Sequence, residues 1–509
     1  MYHYNVEFYY DSRKCFMAEK KVILIGSGVA ALATAIRLQN QNFNVHVYES
    51  SSDAGGKISE FYQKGYRFDR GPSLFTMPQF ITELFKISGK EVSDYFEYER
   101  KGVVCNYFYE DGTEFTAYGD QKKFAIEASK VFDVKPTTIL DYFASSKKKY
   151  DLTSSLFLEQ SLHKLSTFLS GDTLKALANM HALDIHDTLH KVNSRMYQDP
   201  KLIQFFDRFA TYNGSSPYNT PGIMSMIPHL EQYFGTFFPK GGMYSIAKSL
   251  YHLAKDLGVN FNFNTTVDEI VVKEKIVAGI KTSTEFVEAD IVISNMDIVP
   301  TYRKLMPNQK SPEKILKQPR SSSALIFYWG IKKRFPQLDL HNIFFAKDYQ
   351  KEFDFIFKKK NVSDDPTVYI NISSKNKFDD APDGCENWFV MINVPANQGQ
   401  DWELIIEKSR KKILGKLSRI LKTNIESLIE TEDILDPIRI ENTTQSYQGS
   451  LYGASSNNKY AAFLRHPNFS RNIQNLYFCG GSVHPGGGIP LCLLSGKIVS
   501  ELIKKSNPL

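Results

Sequence analysis

The chain has 509 residues, 42% of them apolar and 23% charged, with a formal net charge of +6. That balance excludes a disordered chain and leaves room for two or three domains with ample core. Its basic clusters are short, as at Lys147–Lys149, so no nucleic-acid partner is expected. No apolar run reaches the ~18 residues of a membrane span.

The five cysteines, Cys15, Cys105, Cys385, Cys479 and Cys492, are scattered and form no CxxC pair. Neither a disulfide framework nor a metal site is indicated, and a reducing cytoplasm is expected. The opening "MYHYNVEFYYDSRKCF" is polar and aromatic, unlike a signal peptide. Met17 makes a natural start, so residues 1–17 are read as a disordered extension without a role in the fold.

"VILIG" (Val22 to Gly26) then reads as a buried parallel strand. Gly26-Ser27-Gly28-Val29-Ala30-Ala31 follows, a G-x-G-x-x-A turn. Gly26 permits the tight turn, Gly28 lets backbone approach a pyrophosphate, and Ala31 allows close helix packing. The helix from Ala31 points free N–H groups at phosphate. A second strand, "NVHVYE", closes on Glu49. A carboxylate there accepts hydrogen bonds from adenosine ribose hydroxyls and repels a 2′-phosphate, which disfavours NADP. Strand, turn, helix, strand and acid in this order define a dinucleotide site.

"DAGGK" comes next, with Gly55, Gly56 and Lys57. It is similar to the second glycine pair of glutathione-reductase and amine-oxidase type flavoproteins, where backbone N–H groups and a cation meet FAD. Most of those carry Arg after the pair, and Lys57 keeps the charge without the bidentate fork. Lys57 also reads as a solvated turn lysine. "YRFDRGPSLF" supplies Gly71, Pro72 and Ser73, a stiff turn that passes near the flavin ring in that superfamily.

"SSLFLEQSLHKLSTFLSGD" (Ser154 to Asp172) is amphipathic, with Leu158, Leu162, Leu165 and Leu169 at helical spacing. It reads either as a helix packed on the core or as one resting on a membrane surface. "YNGSSPYN" (Tyr212 to Asn219) offers hydrogen-bonding groups and also reads as a turn-rich loop. The run from Pro239 to Val272 reads as a helix, a turn and two β segments. In the superfamily such a unit returns to the nucleotide domain with the backbone of Val267 facing adenine. "ADIVISNMD" (Ala289 to Asp297) is a further strand.

The C-terminal "NLYFCGGSVHPGGGIPLCLLSGKIVSELI" is the most specific piece. Gly480 and Gly481 form a turn close to ribityl and pyrophosphate. Gly486 to Gly488 form a flat loop, and Ile489-Pro490 open the last helix. That helix N-terminus suits the flavin edge where negative charge develops on reduction. His484, inside the loop, is a candidate proton relay, or it simply bonds the loop or cofactor. Asp151 and Arg195 are conceivable as proton carriers, although surface roles fit their positions better.

These anchors, with "RFATYNGSSPYNTP" and "PKGGM", resemble the bacterial carotenoid desaturases of the phytoene desaturase type over nearly all of residues 18–505. "GPSLFTMP", "SSSALIFYWGI" and "HPGGGIPLCLLSGK" look closest to the branch acting on 1-hydroxylated carotenoids at the 3,4 position. The resemblance implies an α/β fold: an FAD-binding Rossmann-like domain of the p-hydroxybenzoate-hydroxylase type, with a second, α+β substrate domain. The FAD domain is expected from 18–100, 235–300 and 440–509, and the substrate domain from 101–234 and 301–439. Cofactor contacts are expected at Gly26, Ser27, Gly28, Ala30, Ala31, Glu49, Ser50, Gly55, Gly56, Lys57, Gly71, Pro72, Ser73, Val267, Gly480, Gly481, Gly488, Ile489 and Pro490.

The implied activity is FAD-dependent removal of two hydrogens from a long apolar carotenoid, with oxygen or a quinone reoxidising the flavin. A cytoplasmic protein held peripherally on the inner face of the cell membrane is expected. Phytoene desaturation, carotenoid isomerisation and polyene saturation are alternatives on the same fold. A non-catalytic lipid escort, such as a GDP-dissociation inhibitor, is disfavoured because those proteins lose the flavin-binding glycines kept here.

Overall fold

The computed structural model describes residues 20–157, 160, 163, 179, 183–457 and 465–507. The extension 1–17 and Leu158, Leu162, Leu165 and Leu169 of the amphipathic stretch lie outside the described residues.

Strand β1 (Lys21–Ile25), helix α1 (Val29–Gln39) and strand β2 (Asn44–Tyr48) form the opening unit. β1 lies in a five-stranded parallel sheet, in the order Asn260–Asn262, β2, β1, Ile291–Ser294, Leu476–Phe478. Stretches far apart in the chain thus build one sheet. After Lys21, β1 is apolar because both of its faces are covered. Val22 and Leu24 pack with α1, the helix Tyr244–Asp256 and the C-terminal helix Ile489–Ser506. Ile23 and Ile25 pack on the other side with Val267, Ile270 and Val292.

α1 crosses the C-terminal helix at Gly496. A Cβ there would lie 2.8 Å from the Ala30 carbonyl oxygen and 3.0 Å from Thr34 Oγ1. The last helix can therefore lie on the first only if position 496 has no side chain.

A second, seven-stranded sheet runs in the order Ile429–Leu435, Ser323–Ile331, Glu386–Val394, Val368–Asn371, His341–Phe344, Val103–Phe108, Glu114–Tyr118. Only the contact of His341–Phe344 with Val103–Phe108 is parallel. One face is sealed. Phe108, Phe327, Trp329, Phe344, Ile370 and Trp388 are buried against the helix Trp402–Ile420.

The opposite face is only partly covered at its centre. Ile343, Tyr369, Met391 and Asn393 keep accessible surface, while their strand neighbours Phe344, Ile370 and Ile392 are buried. An alternation of sealed and open positions in the middle of a sheet means that the open face looks into free space.

Candidate cofactor site and internal hollow

The two glycine-rich ends of the chain meet. Gly28 pairs with Gly55 in a parallel bridge, and the Gly55 N–H donates to the Ser27 carbonyl at 3.0 Å. Gly481 stands against Gly487, where a Cβ would be 3.2 Å from Cα.

Asn295 ties the ends together. Its N–H donates to the Ile25 carbonyl at 2.9 Å, and Nδ2 donates to the Cys479 carbonyl at 3.1 Å. Its side chain fills the space beside Gly28 and Gly480. A Cβ on Gly28 would lie 2.6 Å from Oδ1, and one on Gly480 would lie 2.8 Å from Nδ2. Asn295 was not singled out in the sequence. The available signal was a polar residue directly after a β run, in the strand that flanks the glycine turn.

α1 and the last helix both begin on a glycine N-cap, Gly28 and Gly488, with no side-chain cap and no acid in the first turn. Both leave orphan N–H groups and a positive dipole end, which favours an anion. Gly488 has φ +102° and is exposed, and a Cβ there would meet nothing within 4 Å. The backbone itself is what this position presents.

Glu49 is buried beyond β2. Its Oε2 accepts from the Ser27 N–H and Oγ, both at 2.8 Å. Oε1 accepts from the Ser51 N–H at 2.9 Å and from Ser50 Oγ at 3.2 Å. Four donors fill the carboxylate's lone-pair sites at the end of the strand, and a ribose hydroxyl would take the place of the rotatable Ser27 or Ser50 hydroxyl. The Thr265 N–H donates to the Glu49 carbonyl at 2.8 Å, which brings the start of the strand at Val267 to the same place.

Lys57 is not a solvated turn residue. It lies deep in the molecule, and its Nζ donates to the Leu451 carbonyl at 3.0 Å. Burial lowers its pKa. The nearby carboxylate of Asp297 is taken by Arg320 at 2.7 Å, so Lys57 has no carboxylate partner among the described residues.

Arg465 is a second such cation, and sequence reasoning missed it because nothing around it forms a motif. It is 3% exposed, its Nη1 donates to the Tyr452 carbonyl at 2.6 Å, and burial pulls its pKa down to about 10. A Cβ on Gly486 would lie 3.2 Å from its Nε. Cys492 sits between the two cations, close enough to feel both charges. Buried cations without counter-charges are costly, so their environment calls for an anion.

The turn at Gly71 packs on the DAGGK loop. Gly71 has φ +100°, and a Cβ there would lie 2.1 Å from the Lys57 carbonyl oxygen. Asp69 just before it accepts from the Met243 and Tyr244 N–H groups at 3.0 and 2.9 Å. It thereby caps the helix Tyr244–Asp256, which explains why "FDRG" and "PKGGM" occur in one chain.

His484 is 2% exposed, and its Nε2–H donates to the Gln160 carbonyl at 2.8 Å. Burial lowers its pKa to about 4, so the ring is neutral at pH 7. Asp151 and Arg195 are at the surface, paired with Lys147 at 2.5 Å and Asp187 at 2.6 Å.

Lys57, Tyr212, Tyr369, Tyr452 and Cys492 all lie deep in the molecule. All five nonetheless keep accessible surface. Interior side chains do so only where they face an internal hollow. Such space adjoins Lys57 and Cys492 at the glycine turns and Tyr369 at the open face of the seven-stranded sheet.

A slot floored by glycine backbone, ended by two helix N-termini and flanked by Lys57 and Arg465 fits an extended dinucleotide with a pyrophosphate. Glu49 stands ready for its ribose. The site and fold define a flavin-binding oxidoreductase.

Residues 29–504 match the flavin-containing amine oxidoreductases, and the chain belongs to that family. Its cofactor is FAD. The chain is 54% identical over 488 residues to a 1-hydroxycarotenoid 3,4-desaturase of Flavobacterium sp. (strain P99-3), covering 96% of this chain and all of that one. It is 33% identical over 500 residues to a 4,4'-diapolycopene oxygenase of Methylomonas sp, covering 95% and 98%. Among solved structures, putrescine oxidase bound to putrescine has a TM-score of 0.63 at 15% identity, covering 96% and 99%. An oxidoreductase of Methanosarcina mazei has 0.60 at 16%, covering 94% and 100%. At these identities the structural likenesses speak for the fold.

Proposed function

We propose that this FAD-dependent oxidoreductase desaturates an acyclic carotenoid, with a 1-hydroxylated polyene oxidised at the 3,4 bond as the substrate. The observation that carries the reading is an accessible, uncharged and partly aromatic sheet face at Ile343, Tyr369 and Met391, joined to the Gly71-Pro72 turn by the Ser73–Tyr369 contact. The full-length identity to a protein of that activity supports the choice of substrate.

When bound, FAD supplies a two-electron hydride acceptor. The protein's own residues do the rest. Gly28, Gly56 and the α1 N-terminus would hold the phosphates, Glu49 would meet the ribose, Lys57 and Arg465 would supply positive charge, and the last helix would face the flavin edge. The bare backbone at Gly488 permits a flat ring to approach. The apolar wall excludes water and lays the polyene alongside the cofactor, which converts an encounter into a near-attack arrangement.

In this reading His484 does not take the proton. Neutral and bonded to the Gln160 carbonyl, it holds the C-terminal glycine loop. Hydride loss leaves an allylic cation spread along the polyene, whose adjacent C–H is acidic enough for water at the edge of the hollow to take the remaining proton.

The substrate reaches the hollow from a bilayer, and the protein acts from the inner membrane face, with oxygen or a quinone as final acceptor. No helix among the described residues is long and apolar enough to cross a membrane. Transfer from lipid to an apolar hollow exchanges one oily surrounding for another. The roughly 25 cal/mol per Å² of water-to-oil transfer is therefore not gained, and selectivity falls to shape and to polar groups.

Expression in cells that accumulate a 1-hydroxylated acyclic carotenoid tests the reading. The expected product has lost two hydrogens and gained one conjugated double bond. Recovery of unchanged pigment, or of pigment that has gained oxygen, contradicts it.

A further inference from the structure

The open wall of the hollow carries a hydroxyl at its centre. Tyr369 stands at the centre of the sheet between Ile343 on one neighbouring strand and Met391 on the other. Its hydroxyl is 2.9 Å from Ser73 Oγ and 2.8 Å from His341 Nδ1. The ring lies parallel to His341 at 6.1 Å and edge-on to Phe389 at 6.2 Å, so its position is fixed.

Behind this point stands a buried polar chain. Asn371 Nδ2 lies 3.1 Å from the Leu340 carbonyl oxygen, to which it donates, and 3.2 Å from His341 Nδ1. Burial lowers the His341 pKa to about 3 and raises that of Tyr369, so both stay neutral at working pH.

The Tyr369 hydroxyl thus stands between His341 Nδ1 and Ser73 Oγ, and both hydroxyls keep accessible surface. Either hydroxyl can turn to donate to or accept from an alcohol, whereas a hydrocarbon would leave both unanswered.

Location adds the second argument. Ser73 directly follows Gly71-Pro72, the turn seated on the Lys57 carbonyl, so the polar point and the cofactor loop are one piece of chain. In a 1-hydroxylated polyene oxidised at the 3,4 bond, two or three single bonds separate the hydroxyl carbon from the reacting carbons. The oxygen lies about 3–5 Å from them. A hydroxyl anchor for that substrate has to sit beside the cofactor.

We infer that Ser73 and Tyr369 hold the substrate hydroxyl, with His341 and Asn371 as positioning residues, and so select the hydroxylated polyene and set which bond meets the cofactor. This rests on the desaturase reading above.

The test is competition. Purified holoenzyme receives an equimolar mixture of a 1-hydroxylated acyclic carotenoid and its deoxy parent in phosphatidylcholine vesicles. The product ratio reports the ratio of kcat/KM values and does not depend on how much enzyme is folded. The wild type is expected to favour the hydroxylated polyene by ~100-fold. Tyr369→Phe lowers that preference by ~10-fold or more, and Ser73→Ala lowers it by several-fold.

An unchanged product ratio in both variants overturns the inference while leaving the desaturase reading standing. A wild type that converts neither polyene overturns both.

Discussion

The two ends of the hollow are built on different principles. The cofactor end is backbone: Gly28, Gly55, Gly480 and Gly488, two uncapped helix N-termini, and Asn295 bridging the turns. The substrate end is side chain: Ile343 and Met391 around the hydroxyl pair of Tyr369 and Ser73. Backbone recognition tolerates almost no substitution, because positive φ and sub-3 Å clearances admit only glycine. Side-chain recognition of an oily chain is satisfied by many residue sets.

That contrast orders the perturbations. The largest effect is expected at the cofactor end. Gly28→Val pushes a branched side chain into a place where even a Cβ is 2.6 Å from Asn295 Oδ1. Purified protein should be colourless, with flavin content reduced more than ~10-fold. Retention of stoichiometric flavin would erase the distinction between the two ends.

The two faces of the seven-stranded sheet come next. Phe344→Ala on the sealed face removes a fully buried ring stacked on Phe108 at 4.7 Å. It should cost about 3–5 kcal/mol in denaturant unfolding. Met391, two strands away on the open face, should behave in the opposite way. Met391→Ala is expected to lower kcat/KM for the polyene by ~10-fold while costing only about 1 kcal/mol of stability. Equal stability losses at the two positions would mean that the open face is packed after all.

Acid titration sharpens the cofactor end. Burial holds His466 and His484, on either side of the C-terminal turn, at about 4. These folded pKa values lie below the unfolded value of 6.5. The unfolded chain therefore binds more protons between those limits. Stability is full above pH 6.5 and is lost as pH falls towards 4, by about 3 kcal/mol for each ring. A melting temperature that stays flat from pH 7 to pH 4 would contradict this.

Lys57 gives the smallest and most pointed effect, because two readouts move oppositely. Lys57→Met removes a buried, uncompensated cation, so the flavin-free protein should melt no lower than the wild type. FAD affinity should fall by ~10- to 100-fold, and Lys57→Arg should recover part of it. A lower melting temperature with unchanged affinity would assign Lys57 to packing alone.

The same contrast explains what was legible in the sequence. β1, the glycine turn, α1 and β2 were readable because glycine spacing and an all-apolar strand have few other meanings. The strand Leu476–Phe478 and the last helix opening at Ile489 were readable for the same reason.

Arg465 and Asn295 were not, since each acts through chain brought to it from far away. The burial of Lys57 was equally hidden, because a lysine in a turn looks solvated until Leu451 arrives nearly 400 positions later. The Ser73–Tyr369–His341–Asn371 chain joins a loop to two distant strands, and no periodicity announces it.

One measurement addresses the central claim most directly: anaerobic mixing of the yellow holoprotein with a 1-hydroxylated acyclic carotenoid in vesicles, following flavin absorbance and pigment mass together. The account predicts stoichiometric bleaching, one flavin reduced for each polyene that loses two hydrogens, and recovery of the yellow colour when air is admitted. A flavin that stays oxidised while the polyene is bound, or a polyene altered without bleaching, would contradict it.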